Sequence, residues 1–522
     1  MVFSSLFFLF VFLTLCYGIY LCMPSIKAKN AVLLLFSLIF YAWGGPPLVL
    51  LLCLMTFICF VGAHLIWSQN PTPRRPVLHK GVKRFYLVAT VGLCLALLGL
   101  YKYAGFFGDT FFGILGLENI IPKVALPIGI SFYTFQLISY VVDVYRGETP
   151  PQRSYPKLLL YTALFHQCIA GPIVRYVDVA REIDRRTMSL DETFSGMLRF
   201  TIGLGKKAIL ANTCATVADS LLNADKLTKG GVSSLGVLLG VSAYMLQIYL
   251  DFSAYSDMAI GMGRMIGFHF KENFNHPYVA DSVTDFWRRW HISLSSFFRD
   301  YVYIPLGGNR CAWWRHILNL LIVWALTGFW HGASWNFILW GLYFALFLVL
   351  EKYVFKWQKH GGKITVHFRR LYTLAVVWFG WLLFRFDRLK ELWCAAKSLF
   401  RLEDIRRVGE SVIGLFTKGE WSPLWDSLKA LFLFGGNFNH DNAHYTLFNY
   451  LFILVVAVVA CTPLAVWIGK KLTSAAQGQS GGAFVARAAV NAAAVVIPVA
   501  LLILSVLALV GDSYNPFLYF RF

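Results

Sequence analysis

The sequence predicts an all-α, polytopic integral membrane protein with about 11–13 transmembrane helices plus re-entrant helices. Three observations predict it. Of 522 residues, 58% are hydrophobic and 17% aromatic, whereas only 14% are charged; a soluble domain carries roughly 25% charged residues. The mean hydropathy is +0.60. Apolar runs of about 20 residues, the length a helix needs to cross a bilayer, recur along the chain. No polar block is large enough for a separate soluble domain, so residues 1–522 read as a single membrane unit.

The first run, 3–22, lacks the basic start and small-residue cleavage site of a signal peptide, and Lys27 and Lys29 follow it. It reads as an uncleaved span with an extracytoplasmic N-terminus. Further spans are expected at roughly 30–45, 47–67, 85–103, 127–145, 198–221, 235–263, 316–334, 336–351, 371–387, 447–468 and 487–510. Loop charges agree with this count. The loops placed in the cytoplasm hold Arg74, Arg75, Lys80, Lys83, Arg84, Arg181, Arg185, Arg186, Arg288, Arg289, Lys352 and Lys356, while 104–126 and 222–234 are poorer in positive charge.

Two apolar stretches, 154–172 and 292–306, begin and end on the same side. They read as re-entrant or in-plane helices, which membranes tolerate only where protein or a wet cavity satisfies the backbone. That places a cavity beside His291. On the outer side, 388–446 alternates bulky apolar residues with Lys and Arg, as in 389–400 and 421–434, and suits helices lying in the interface.

The net charge of +20 does not indicate nucleic acid. Its Lys and Arg residues are dispersed through short loops, whereas nucleic-acid binding needs a clustered patch. The ten cysteines are scattered without a CxxC pair and read as inert thiols.

Residues 287–310, WRRWHISLSSFFRDYVYIPLGGNR, are the chemistry-rich part of the chain. They set Arg288, Arg289, His291, Arg299, Asp300 and Arg310 between apolar segments, and His331 follows in WALTGFWHGASWNFILWG. Ionisable residues at membrane depth are costly and therefore functional candidates. Each has a plainer reading. His291 with Trp287, Arg288, Arg289 and Trp290 fits an aromatic-belt anchor with snorkelling arginines. His331 fits a helix-packing histidine. Gly328, Gly332 and Ala333 leave little side-chain bulk over its imidazole, yet small residues serve close helix packing equally well.

Asp251 and Asp257 lie in an apolar span with Ser253 and Ser256, with Arg264 as a candidate partner. For them, as for Gln136, a structural hydrogen-bond network weighs at least as much as catalysis. His440 and His444 stand at the i, i+4 spacing of HExxH. Asp441 replaces the Glu and no third ligand follows, so no metal site is expected.

RRWHISL, RDYVYIPLGGNR, DFSAYSDMAIG, LTGFWHGASWNFILWG and the terminal SYNPFLYFRF together resemble the membrane-bound O-acyltransferase family, and within it the bacterial polysaccharide branch. The resemblance is densest over about 125–345. It implies a ring-like, multi-helix membrane fold with a thinned centre, located in the bacterial inner membrane. It implies acetyl-CoA, or another activated acyl donor, reached from the cytoplasm as a substrate rather than a resident cofactor. By the WHG context the family's catalytic histidine falls on His331. Its second functional histidine falls on His291 in RRWHISL.

Under that resemblance His331 takes the proton of an acceptor hydroxyl as the hydroxyl attacks the acetyl thioester, work suited to an imidazole with a pKa near ~6.5. His291 or a nearby arginine orients the donor or stabilises the oxyanion. Arg288, Arg289, Arg299 and Arg310 meet the phosphates of CoA. The implied product is an O-acetylated extracytoplasmic polysaccharide such as alginate, with acetyl passed through an extracytoplasmic partner protein. Peptidoglycan O-acetylation and D-alanyl transfer to teichoic acid are alternatives within the class. A glycan or lipid transporter is the alternative outside it, but such folds pair ionisable groups across inverted repeats, and no such repeat is visible.

Overall fold

The computed structural model describes residues 1–70, 79–121, 126–168, 171–356, 363–400, 443–477 and 481–511, with isolated positions at 410, 413 and 417. All regular elements among the described residues are helical. A helix lies at each of the twelve expected spans, and the chain is a multi-pass membrane protein. Five helices are long and apolar enough to cross a bilayer: Pro46–Ser68, Lys80–Lys102, Ser234–Met265, Trp335–Phe355 and Phe484–Gly511. Others are shorter. Ile26–Ala42 and Ile130–Arg146 have 17 residues each, which is about 26 Å of helix against a hydrocarbon core of roughly 30 Å. Helices of that length span a bilayer only with local thinning or with flanking residues that snorkel.

One expected span is not straight. The run 447–468 forms two helices, Phe448–Ala460 and Leu464–Ala476, bent by 63°. Pro463 at the junction has no N–H for a continuous ladder and clashes with the preceding turn. The two same-side stretches are short helices, as expected. Tyr155–Ala163 and Phe165–Cys168 break at Leu164, and Ile292–Phe298 continues into one π-helical turn, Arg299–Tyr303. Of the interfacial segment 388–446, Leu389–Leu399 is a helix; 401–409 and nearly all of 411–442, including 421–434, lie outside the described residues.

Ser234–Met265 is the pillar of the molecule. Its 32 residues make a helix of about 48 Å, opened by the Ser233 hydroxyl accepting from the Gly236 N–H at 3.0 Å. The segment 190–221 packs along it through small residues. A Cβ at Gly196 would stand 2.6 Å from the Gly261 carbonyl, and one at Gly203 2.7 Å from that of Ala254, so the backbones themselves touch.

The pillar joins two large apolar cores. Its second half (Tyr255, Met258, Ile260, Met262) contributes to one built from the N-terminal helices and 130–183; its first half (Tyr244, Ile248, Tyr249) contributes to one built from 324–345 and 376–384. Among the other segments that cross between these cores, two carry the candidate histidines. Trp290 is in the second and Leu294 in the first; Trp324 is in the second and Trp330 in the first. His291 and His331 lie on these two crossings.

Candidate active site

The segment carrying His291 is held from three directions. Ser282 opens helix Val283–Arg289 by accepting from the Asp285 N–H at 3.0 Å. The buried Glu351 carboxylate, from the far end of Trp335–Phe355, accepts from the Val283 N–H at 2.6 Å, the Thr284 N–H at 2.9 Å and the Thr284 hydroxyl at 2.8 Å. A carboxylate there satisfies the otherwise unpaired N–H groups of a helix start. The extended strip 271–276 grips the other end: Ile292 N–H donates to the Asn273 carbonyl and Asn275 N–H to the Arg289 carbonyl, both at 2.9 Å.

At the turn, His291 has φ 45°, a left-handed conformation that few non-glycine residues adopt and that clusters at functional sites. It is 1% exposed. Its Nδ1 stands 3.2 Å from Asn273 Oδ1 and 3.4 Å from Ser293 Oγ. Its ring meets the edges of Phe252 at 4.7 Å and Trp330 at 5.8 Å between centroids. On this connection between spans, burial lowers its pKa to about 3, so the imidazole is neutral at physiological pH.

His331 is the last residue of helix Trp313–His331, where the chain leaves into extended backbone. It is 6% exposed and boxed by aromatic edges: Trp330 at 4.9 Å, Trp340 at 5.0 Å and Phe384 at 5.2 Å. This corrects the expectation that the neighbouring glycines leave it uncovered. They serve the helix crossing instead. A Cβ on Gly328 would fall 2.1 Å from the Phe337 carbonyl oxygen, one on Gly341 2.1 Å from that of Trp324, and one on Gly332 2.3 Å from the Phe337 ring. Trp330 stands between the two histidines, touching both rings.

Both histidines line one cavity of about 1410 Å³. Its walls carry Trp287, Trp324 and Thr327, and its basic residues are Arg288, Arg289, Arg299, Lys352, Lys356, Arg369 and Arg370. The expected cavity beside His291 is therefore present. Of the four arginines singled out in the sequence, Arg288, Arg289 and Arg299 line it. Arg310 is exposed and is absent from its lining, where Asn309 stands instead.

Charge pairing divides these cations. Arg289 is bound to Asp285 at 2.8 Å, Arg299 to Asp300 at 2.7 Å, and Arg369 to Asp281. Arg288, Lys356 and Arg370 have no ion pair among the described residues. Lys352 Nζ reaches His316 Nε2 at 3.2 Å, in a cluster where His316 also meets the Tyr303 and Tyr353 hydroxyls. Arg369, Arg370 and the two lysines were not singled out from the sequence as site residues. Their signal in the sequence is the positive charge between 336–351 and 371–387, which the positive-inside bias alone also produces.

The intramembrane acids are both held in ion pairs. Asp251 pairs with Lys207 at 2.9 Å, both almost fully buried, and Asp257 binds Arg199 at 2.9 Å and Lys206 at 2.7 Å. Arg264, the expected partner, donates to the Ser195 hydroxyl instead. The partners come from 190–211, which packs alongside in space rather than following in sequence. Gln136 is fully buried. His440 and the side chain of His444 lie outside the described residues, as does the terminal SYNPFLYFRF.

Residues 36–389 match the MBOAT, membrane-bound O-acyltransferase family. The chain is similar to the probable alginate O-acetylase of Azotobacter vinelandii, 35% identical over 100% of both chains. It is 41% identical to the probable alginate O-acetylase of Pseudomonas putida, over 74% of this chain and 78% of the relative. It is also 32% identical to the peptidoglycan O-acetyltransferase of Helicobacter pylori, over 78% and 81%.

Proposed function

Because the chain belongs to the membrane-bound O-acyltransferase family and is an acyltransferase, we propose that it moves acetyl from cytoplasmic acetyl-CoA across the bacterial inner membrane for O-acetylation of an extracytoplasmic polysaccharide. One observation carries the reading: a single cavity joins a rim of cations to two buried histidines. The rim suits a donor with phosphates. Arg288, Lys352, Lys356 and Arg370, which lack a carboxylate partner among the described residues, would meet the phosphates, while Arg289, Arg299 and Arg369 are already committed to acids. The apolar walls suit the pantetheine arm. Arg310, exposed and off the cavity, drops out of the donor site.

At the inner end His331 acts as the base. The acceptor oxygen attacks the thioester carbonyl carbon, its proton passes to the imidazole, the C–S bond breaks, and the proton leaves on the CoA thiolate. Aromatic edges around His331 exclude water and favour transfer over hydrolysis. His291, 40 residues earlier in sequence and across Trp330 in space, orients the reacting group. The names of the similar proteins favour alginate or a like polymer as acceptor. An extracytoplasmic acetyl-transferring protein completes the proposed route, as the resemblance to the polysaccharide branch of the family implies.

The test is the acetyl content of the cell's exopolysaccharide and peptidoglycan in a strain lacking the chain. Wild type restores O-acetyl to the exopolysaccharide. His331→Ala, →Asn and →Gln, inserted at normal level and still binding acetyl-CoA, lose roughly 10²–10⁴ of the rate, in kcat rather than KM. Near-normal turnover by a well-inserted His331→Ala protein would refute the mechanism. Restoration of acetyl in peptidoglycan alone would reassign the acceptor.

A further inference from the structure

Asn273 is 1% exposed, and every atom of its amide is engaged. Its Oδ1 accepts from the Ser293 backbone N–H at 3.2 Å and from the Ser293 hydroxyl at 2.9 Å, while its Nδ2 donates to Ser256 Oγ at 3.3 Å. The backbone N–H can only donate, so this contact fixes which amide atom is the oxygen. His291 Nδ1 lies against that oxygen at 3.2 Å, and an amide oxygen can only accept. The second neighbour of Nδ1, Ser293 Oγ, has its own hydrogen committed to Asn273 and takes a hydrogen bond from the Ile173 N–H at 3.0 Å. Towards Nδ1 it too is an acceptor. Both groups around Nδ1 therefore require it to carry the hydrogen.

We propose that Asn273 is a positioning residue of the acyl-transfer site: it locks neutral His291 in the Nδ1–H tautomer and leaves Nε2, across the ring, as the nitrogen that accepts hydrogen. The same residue holds the turn itself, since its carbonyl receives the Ile292 N–H directly after the left-handed His291. Ring orientation and proton placement are thus set by one side chain on the strip 271–276, the role that a hydrogen-bonding partner plays for a functional imidazole generally. In this tautomer, a hydrogen bond at Nε2 is one that His291 accepts. Stabilising an oxyanion falls to other donors in the cavity. This rests on the acyl-transfer reading given above.

Two measurements on the full chain in lipid test it. The first is a double-mutant cycle on the rate of acetyl transfer from acetyl-CoA. Asn273→Ala is expected to lower kcat about 10- to 100-fold with little change in the KM for acetyl-CoA. In a His291→Ala background it should lower kcat no further, because the oriented group is gone. Asn273→Asp, which keeps an acceptor oxygen for Nδ1–H, should recover most of the rate. Losses that multiply across the two sites, or an undiminished rate in Asn273→Ala, overturn the proposal while leaving the acetyltransferase reading intact. If neither His291→Ala nor His331→Ala affects transfer, that reading falls and this one with it. The second measurement needs no folded variant at position 273. In ¹⁵N-histidine-labelled protein, the signal absent from His291→Ala should show the unprotonated nitrogen at Nε2. Finding it at Nδ1 overturns the proposal.

Discussion

Gly328→Ala is a change of one methyl group that the helix crossing cannot absorb. The new Cβ would stand 2.1 Å from the Phe337 carbonyl oxygen and 3.0 Å from its carbon, against an ordinary contact of 3.4 Å or more. Helices Trp313–His331 and Trp335–Phe355 would have to part by about 1.3 Å at this level. Both atoms met are backbone, so no rotamer change relieves the clash. Overpacking of this kind costs about 1–3 kcal/mol. Gly328 is one turn from His331, whose box includes Trp340 on the partner helix. The parting therefore moves the imidazole relative to its cavity by a comparable distance, and a displacement of about 1 Å can cost roughly 10²-fold in rate. Gly92→Ala, with nothing within 4 Å of the added carbon, is the control and should be neutral. The assay pairs thermal unfolding in detergent with acetyl-transfer rate. A Gly328→Ala protein with wild-type stability and rate would refute the argument that glycine is there for the crossing.

Two further outcomes follow from charges outside the cavity. The buried Asp251–Lys207 pair should behave as a unit: either Asp251→Asn or Lys207→Met alone leaves one buried charge and costs about 3–5 kcal/mol, while the double variant returns most of it, a coupling readable in denaturation midpoints. His269, half-exposed on a connection between helices, has its pKa raised above 6.5 by hydrogen bonds first to Glu182 and then to Glu192. Its contribution is full below pH 6.5 and is lost as pH rises through the raised value, so wild type should lose a small increment of stability on going alkaline that His269→Gln does not. A pH dependence that is the same in both proteins would count against that pairing.

What could be read from the chain beforehand follows from which interactions are local. Apolar length and loop charge are local, and helices stand at all twelve expected places; the one that is bent carries Pro463, a local signal not used for it. The cavity beside His291 was also legible, because Arg299 and Asp300 inside an apolar stretch oblige the fold to provide polar surroundings. Partner choice was not. Arg264 is near Asp251 and Asp257 in sequence, yet Lys207, Lys206 and Arg199 reach them from the neighbouring segment. The glycines around His331 had two physical meanings, open space or close crossing, and spacing alone does not separate them. Only the position of Phe337 and Trp324 backbone atoms does. Asn273 shows the same limit at the site itself. In FKENFNHPYV nothing distinguishes it from Asn275, and its significance arises when the strip folds back on 289–293. The composition of a membrane site can thus be read from expensive residues, because lipid makes them conspicuous. The residues that orient them are cheap ones, and become visible only when the chain is closed.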